Sequence, residues 1–186
     1  ARNLVLTTGS GGVTFTGIVG GTPLTSLLTT GTTGTITLGN NINTTGAQNY
    51  VGPVSFNSDI ALNITGGTDA DDLSFASTVT ATNDSLDINV ATAGDVTFGD
   101  GSGTDTVAGI NALTTNANIT VNTTQFVTQR FANSVTAANL SVLANVSSST
   151  IYVTPVSGNV TLLEVNSLWT GNSVSLNATV TASSFY

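Results

Sequence analysis

Short runs of alternating apolar and polar residues, each closed by Gly, Asn, Asp or Thr, fill most of this chain. VSF (54–56), IALNI (60–64), LSF (73–75), TVTAT (78–82), SLDINV (85–90) and DVTF (95–98) follow one another with only turn residues between them. A period of two is the signature of a strand with one buried face. No 3.6-residue pattern interrupts the series, and long helix-forming side chains are nearly missing: there is no Lys, no Met, and a single Glu, Glu164. The chain is therefore expected to be all-β.

Three all-β architectures satisfy many short strands: a sandwich, a closed barrel or a solenoid. Sandwich hairpins favour tight Asn-Gly or Asp-Gly turns between longer strands. Here Asp-Gly occurs once, at Asp100-Gly101, and Asn-Gly never. Phrases also recur. Gly12-Val13-Thr14-Phe15 returns as Asp95-Val96-Thr97-Phe98 and as Asn159-Val160-Thr161-Leu162, while Gln48-Asn49-Tyr50 and Val54 match Gln129-Arg130-Phe131 and Val135 at a single offset. Internal self-similarity of this kind points to a repeat architecture. The expectation is one parallel β-solenoid domain over residues 1–186, with imperfect repeats at about 11–93 and 94–157 and a partial third copy from 158. Inward positions stack Val, Leu, Ile and Phe on their counterparts. Outward positions stack Thr on Thr and Asn on Asn. At roughly 20–25 residues per coil the chain makes about eight coils, and at ~4.8 Å between strands a rod of roughly 40 Å.

Charge narrows the function. Charged residues make up 6% of the chain, against roughly 25% in an ordinary soluble domain. Arg2 and Arg130 are the only basic residues and the net charge is −8, so nothing here neutralises a row of phosphates and a nucleic-acid partner is excluded. No apolar run approaches ~18 residues, which excludes a transmembrane helix. With 186 residues and 39% apolar content a real core is within reach. Cys is absent, so no disulfide framework exists. Ala1 in place of an initiator Met reads as a processed chain or an excised piece. Lys-free, Cys-free, Thr/Asn-rich acidic composition is associated with microbial surface proteins.

GGVTFTGIVGGTPLTSL, TTGAQNYVGPVSF and GDVTFGDGSGTDT resemble the repeats of large secreted bacterial surface proteins of the filamentous-haemagglutinin and autotransporter type, over roughly residues 10–131. The resemblance implies a right-handed parallel β-helix and an extracellular location. It carries no catalytic motif.

Catalysis has little to work with. His and Cys are absent, so the usual nucleophile–base pairs are out of reach. Some polysaccharide-cleaving β-helices use Asp clusters or an Arg base, and Asp69, Asp71, Asp72, Asp84, Asp87, Asp95 and Arg130 are the available groups. Asp beside Gly, Asn or Thr more commonly caps a turn. No hydrolase or lyase activity is expected, and no cofactor. Calcium is the one candidate ligand ion. GGTDADDL (66–73) departs from the calcium nonapeptide G-G-x-G-x-D-x-U only at Asp69, and DGSGTDTV (100–107) only at Asp100. Weak binding is expected at Asp69, Asp71 and Asp72, or at Asp100 and Asp105, through carboxylates and turn carbonyls. Such repeats normally run in tandem, and these two lie far apart; the plain alternative is a structural loop.

Asn-x-Ser/Thr triplets stand at Asn43, Asn63, Asn83, Asn118, Asn122, Asn139, Asn145, Asn159 and Asn177. They mark acceptor positions for N-glycosylation, though an Asn/Thr-rich chain makes them by chance. Trp169 and the pair Phe185-Tyr186 are aromatics able to stack on sugars or a partner, or to close the core. The sequence thus reads as an extracellular structural or adhesive solenoid of a microbial surface. Its first strand, NLVLTT (3–8), and last stretch, SVSLNATVTASSFY (173–186), lack the Lys and Pro that protect free edges. Its expected partners are accordingly other copies or adjacent domains, end to end, and surface glycans. The alternatives are a subunit of a polymeric extracellular filament and, in another class, a polysaccharide-binding or polysaccharide-degrading β-helix.

Overall fold

In a computed structural model the chain is an all-β parallel solenoid of about five turns. The structure describes residues 2–123 except 32, 92, 93, 102–104 and 122; from residue 125 onward it describes the backbone of strands alone.

Each coil lays three strands on three faces in a fixed order. The first coil holds β1 (Asn3–Thr7), β2 (Val13–Phe15) and β3 (Val19–Leu24). The second holds β4 (Ser26–Thr30), β5 (Ile36–Leu38) and β6 (Ile42–Thr44), and the third β7 (Gln48–Tyr50), β8 (Val54–Phe56) and β9 (Ile60–Ile64). The fourth holds β10 (Leu73–Phe75), β11 (Val79–Ala81) and β12 (Leu86–Val90). In the fifth, β13 (Asp95–Phe98) is followed by one long strand, β14 (Thr106–Thr115), which serves both remaining faces: it pairs with β11 near its start and β12 near its end. The stack continues through β15 (Asn118–Val121) and β16 (Gln125–Asn133). Every pairing among the described strands is parallel, and the first face runs through β1, β4, β7, β10, β13 and β15.

Register sets the true repeat. On the first face Leu27 pairs with Gln48, Gln48 with Leu73, Leu73 with Val96 and Val96 with Ile119. These steps of 21, 25, 23 and 23 residues fall within the expected coil length. The longer recurrences do not follow this register. Val13 and Phe15 lie on the second face, whereas Val96 and Phe98 lie on the first. Gln48–Tyr50 lies on the first face, whereas Arg130 and Phe131 pair with the third-face end of β14. Where its side chains are described, the phrase marks what a strand needs on any face: two inward residues flanking an outward polar one.

Inward residues form columns. Leu38 and Phe56 are neighbours on the second face, and Ile42, Leu62 and Ile88 on the third, all buried. The first-face column Tyr50, Phe75, Phe98 is aromatic, its rings stacked at 5.2 and 5.0 Å between centroids and 13° between planes. Parallel in-register pairing holds successive rings about one strand spacing apart, close to the offset-stacked optimum, a gain of ~0.5–1.5 kcal/mol per pair beyond burial. Val96 and Phe98 sit fully inside the core, while Val13 and Phe15 are partly buried against it. The side chains of Val160 and Leu162 lie outside the described residues.

Candidate functional site

Parallel stacking puts turn upon turn, so outward and corner residues align into rows. The five acidic residues expected to bind calcium fall on two different rows. Asp69, Asp71 and Asp72 occupy the corner between the third and first faces, ahead of β10, while Asp100 and Asp105 lie at the corner between the first and second faces, after β13. The carboxylates of Asp71, Asp72 and Asp105 accept from local donors. Asp71 Oδ2 accepts from the Thr68 amide and hydroxyl, both at 2.9 Å, closing its own turn. Asp72 Oδ1 accepts from the Asp95 amide of the next coil at 2.8 Å. Asp105 Oδ1 accepts from Ser77 Oγ at 3.3 Å. Among the described residues no three carboxylates gather in a group able to hold a metal ion. Asp59 does the same capping work for the fourth coil, accepting from the Ser85 amide at 2.7 Å.

The triplet asparagines differ in the same way. Asn83 sits exposed in a turn, with φ at 67°, a left-handed conformation that Asn tolerates better than most residues. Asn43 and Asn63 are half-buried in strands β6 and β9. The side chains of the other six lie outside the described residues, as do those of Arg130, Trp169, Phe185 and Tyr186.

Asn43 and Asn63 belong to a hydrogen-bonded row of asparagines on the third face. Asn43 pairs with Asn63 and Asn63 with Asn89 on three consecutive coils of the third face. Asn89 Nδ2 donates to Asn63 Oδ1 at 3.0 Å, Asn63 Nδ2 to Asn43 Oδ1 at 2.7 Å, and Asn43 Nδ2 to the Gly20 carbonyl at 3.1 Å. A primary amide carries both donors and acceptors, so identical side chains at one strand spacing bond in series without a partner of another kind. The alternation legible in IALNI and SLDINV places these asparagines outward; that three of them share one row depends on coil lengths that the strand pattern leaves open.

The ladder borders a trough of about 540 Å³ along the third face. One end is marked by Pro23. There β3 departs from register between Val19 and Leu24, and Gly20 adopts φ of 77° beside the Asn43 carbonyl, where a side chain has no room. The other end is marked by Asn116, whose amide turns onto the backbone of Val90: Oδ1 accepts from its amide at 2.9 Å and Nδ2 donates to its carbonyl at 3.0 Å. Ala91 and Thr65 complete the wall. A second groove of similar volume runs along the corner that holds Asp100 and Asp105, with Thr33, Val51 and Pro53 opposite.

One polar cluster lies inside the core. Gln48 takes an aliphatic position in its column and is fully buried. Its Oε1 accepts from the Tyr50 hydroxyl at 2.9 Å, and its Nε2 faces the Asn63 carbonyl at 3.1 Å and the Ile42 carbonyl and Thr44 hydroxyl at 3.3 Å. Burial pushes the Tyr50 phenol well above its ordinary range, so it stays neutral and remains a donor. Neither Gln48 nor Tyr50 lines either groove, and the cluster serves the fold.

Among the described residues no helix is long and apolar enough to cross a membrane. Comparison with protein-family models, with curated proteins and with solved structures finds no match to this chain.

Proposed function

We infer that this chain is an extracellular structural and adhesive solenoid element of a microbial cell surface, joined end to end to other copies or to an adjacent domain. The observation that carries the reading is the edge of the first coil. Among the described residues, strands β1, β2 and β3 are each paired on one side only. Their inward residues Leu4, Val13, Phe15 and Val19 are partly buried, whereas their register partners in the second coil, Leu27, Ile36, Leu38 and Ile42, are fully buried. Such an edge is completed by another parallel coil, which extends both the backbone ladder and the core. Head-to-tail contact of that kind does not close on itself and yields a rod. The likeness of the repeats to those of filamentous-haemagglutinin and autotransporter proteins points the same way. Electron microscopy of the native material checks it: rods or an extended surface array are expected, long uniform filaments favour the filament-subunit alternative, and compact monomers that bind no surface count against both.

The reading is non-catalytic. Incubation with acidic polysaccharides is expected to leave them intact, and cleavage lost on Asp-to-Asn substitution would establish the degrading alternative instead. The two acidic corners enter only as weak calcium ligands, and titration calorimetry at millimolar calcium tests them; absence of heat removes them.

A further inference from the structure

The trough on the third face has ends, a floor and a repeating polar rim. It reaches from Pro23 in the first coil to Asn116 after the fifth, with Asn43, Asn63 and Asn89 at one residue per coil between them. Four coil rises separate its ends, or about 19 Å at ~4.8 Å each. The ladder holds its amides in fixed orientation, so ordering them on a ligand costs little further entropy. Within the ladder Asn63 gives one hydrogen to Asn43 and takes one from Asn89. An amide has two hydrogens and two lone pairs, so each middle rung keeps one donor and one acceptor beyond the ladder. Asn89 gives its hydrogens to Asn63 and Asp87, and its Oδ1 is left as an acceptor. Among the described residues no charged side chain lines the trough.

A matching ligand is therefore uncharged, donates and accepts at the same points, and repeats at the coil rise. An extended peptide advances by about 3.3–3.4 Å per residue and falls out of phase with rungs ~4.8 Å apart. Nucleic acid would need cations that this surface lacks. Sugar hydroxyls both donate and accept, and a pyranose ring in an extended chain advances by close to one coil rise. We propose that the trough binds an extended neutral oligosaccharide aligned with the solenoid axis, its hydroxyls on Asn43, Asn63 and Asn89 and its C–H faces on Pro23 and Ala91. The site rests on the adhesive part of the reading above and is independent of end-to-end association.

The test is titration of the whole chain with neutral gluco-, manno- and galacto-oligosaccharides from disaccharide to hexasaccharide. Binding is followed by calorimetry and by the side-chain amide resonances of the ladder. Affinity is expected to rise with length and level off near about four units, the number of coil rises spanned. Ala91→Trp, which fills the trough, and Asn89→Ala, which removes a rung, are each expected to weaken binding about tenfold. Both should leave the circular dichroism and melting temperature of the parent. Ala91→Trp keeps the test alive if loss of the rung disturbs folding. The proposal is overturned by any of three results: no binding of any of these sugars at millimolar concentration, equal binding by both variants, or tighter binding of sulfated or uronic chains than of neutral ones. If oligosaccharides bind through the ladder yet the protein adheres to no glycan-coated surface, the adhesive reading fails and the site stands. If it adheres and the trough variants adhere equally, the site fails alone.

Discussion

Tyr50 shows how much one buried polar group contributes to this fold. Its ring continues the aromatic column and its hydroxyl reaches Gln48 inside the core. Burial holds its pKa above the ordinary value of about 10. Below that value both folded and unfolded chains keep the proton and stability does not depend on it. Above it the unfolded chain loses the proton and the folded chain does not, so stability falls as pH rises, by up to about 1.4 kcal/mol per pH unit from this group. Urea denaturation from pH 9 to 11.5 is expected to show that decline, and Tyr50→Phe is expected to remove one proton's worth of the slope. At neutral pH the same substitution leaves Gln48 Oε1 without its donor and costs about 1–2 kcal/mol. An unchanged alkaline slope in the variant refutes the assignment.

At the scale of the element, the bend within β14 carries the most information. Gly109 has φ of 77° and lies where the register slips between Val107 and Ile110. A Cβ there would run into the Ala81 carbonyl of the coil below, and the Gly109 carbonyl accepts from the Asn83 amide at 2.9 Å. The bend is what lets one strand leave the second face and enter the third. Gly109→Ala combines a left-handed penalty of ~1–2 kcal/mol with a backbone clash. It is expected to lower the unfolding free energy by about 2 kcal/mol or more. Gly67, with no neighbour near its Cβ position and no left-handed φ, serves as control: Gly67→Ala is expected to stay within about 0.5 kcal/mol of the parent. Equal melting temperatures for the two variants would show that the bend does not depend on glycine.

Over the whole molecule, stability is close to a sum over neighbouring coils, because each coil touches only the ones above and below. An uncovered coil loses one of its two interfaces, which is why the half-buried first coil bears on assembly. Leu6→Lys places a charge where an added coil would sit, at a residue only partly covered by its partner Thr29. Sedimentation is expected to show concentration-dependent association of the parent and its loss in this variant, with the circular dichroism of the coils intact. A parent that remains monomeric at high concentration sinks the end-to-end reading.

Strand chemistry was legible in the chain itself. VSF, LSF and IALNI are the observed strands β8, β10 and β9 to the residue, because a period of two is a local property that needs only neighbours in sequence. The parallel stack was legible too, from short strands without hairpin turns. Three things were decided only by the tertiary structure. Coil length varies with corner loops such as 65–72, so Val13 and Val96, similar in sequence, occupy different faces. The donors that Asp71, Asp72 and Asp105 meet, in their own turn or on a neighbouring coil, are set by how the coils stack and not by the near-match to a calcium motif. The asparagine row exists because separate stretches of chain, each closing a coil of its own length, arrive at the same register. Local alternation says which way a side chain points; only the closed coils say which side chains it meets.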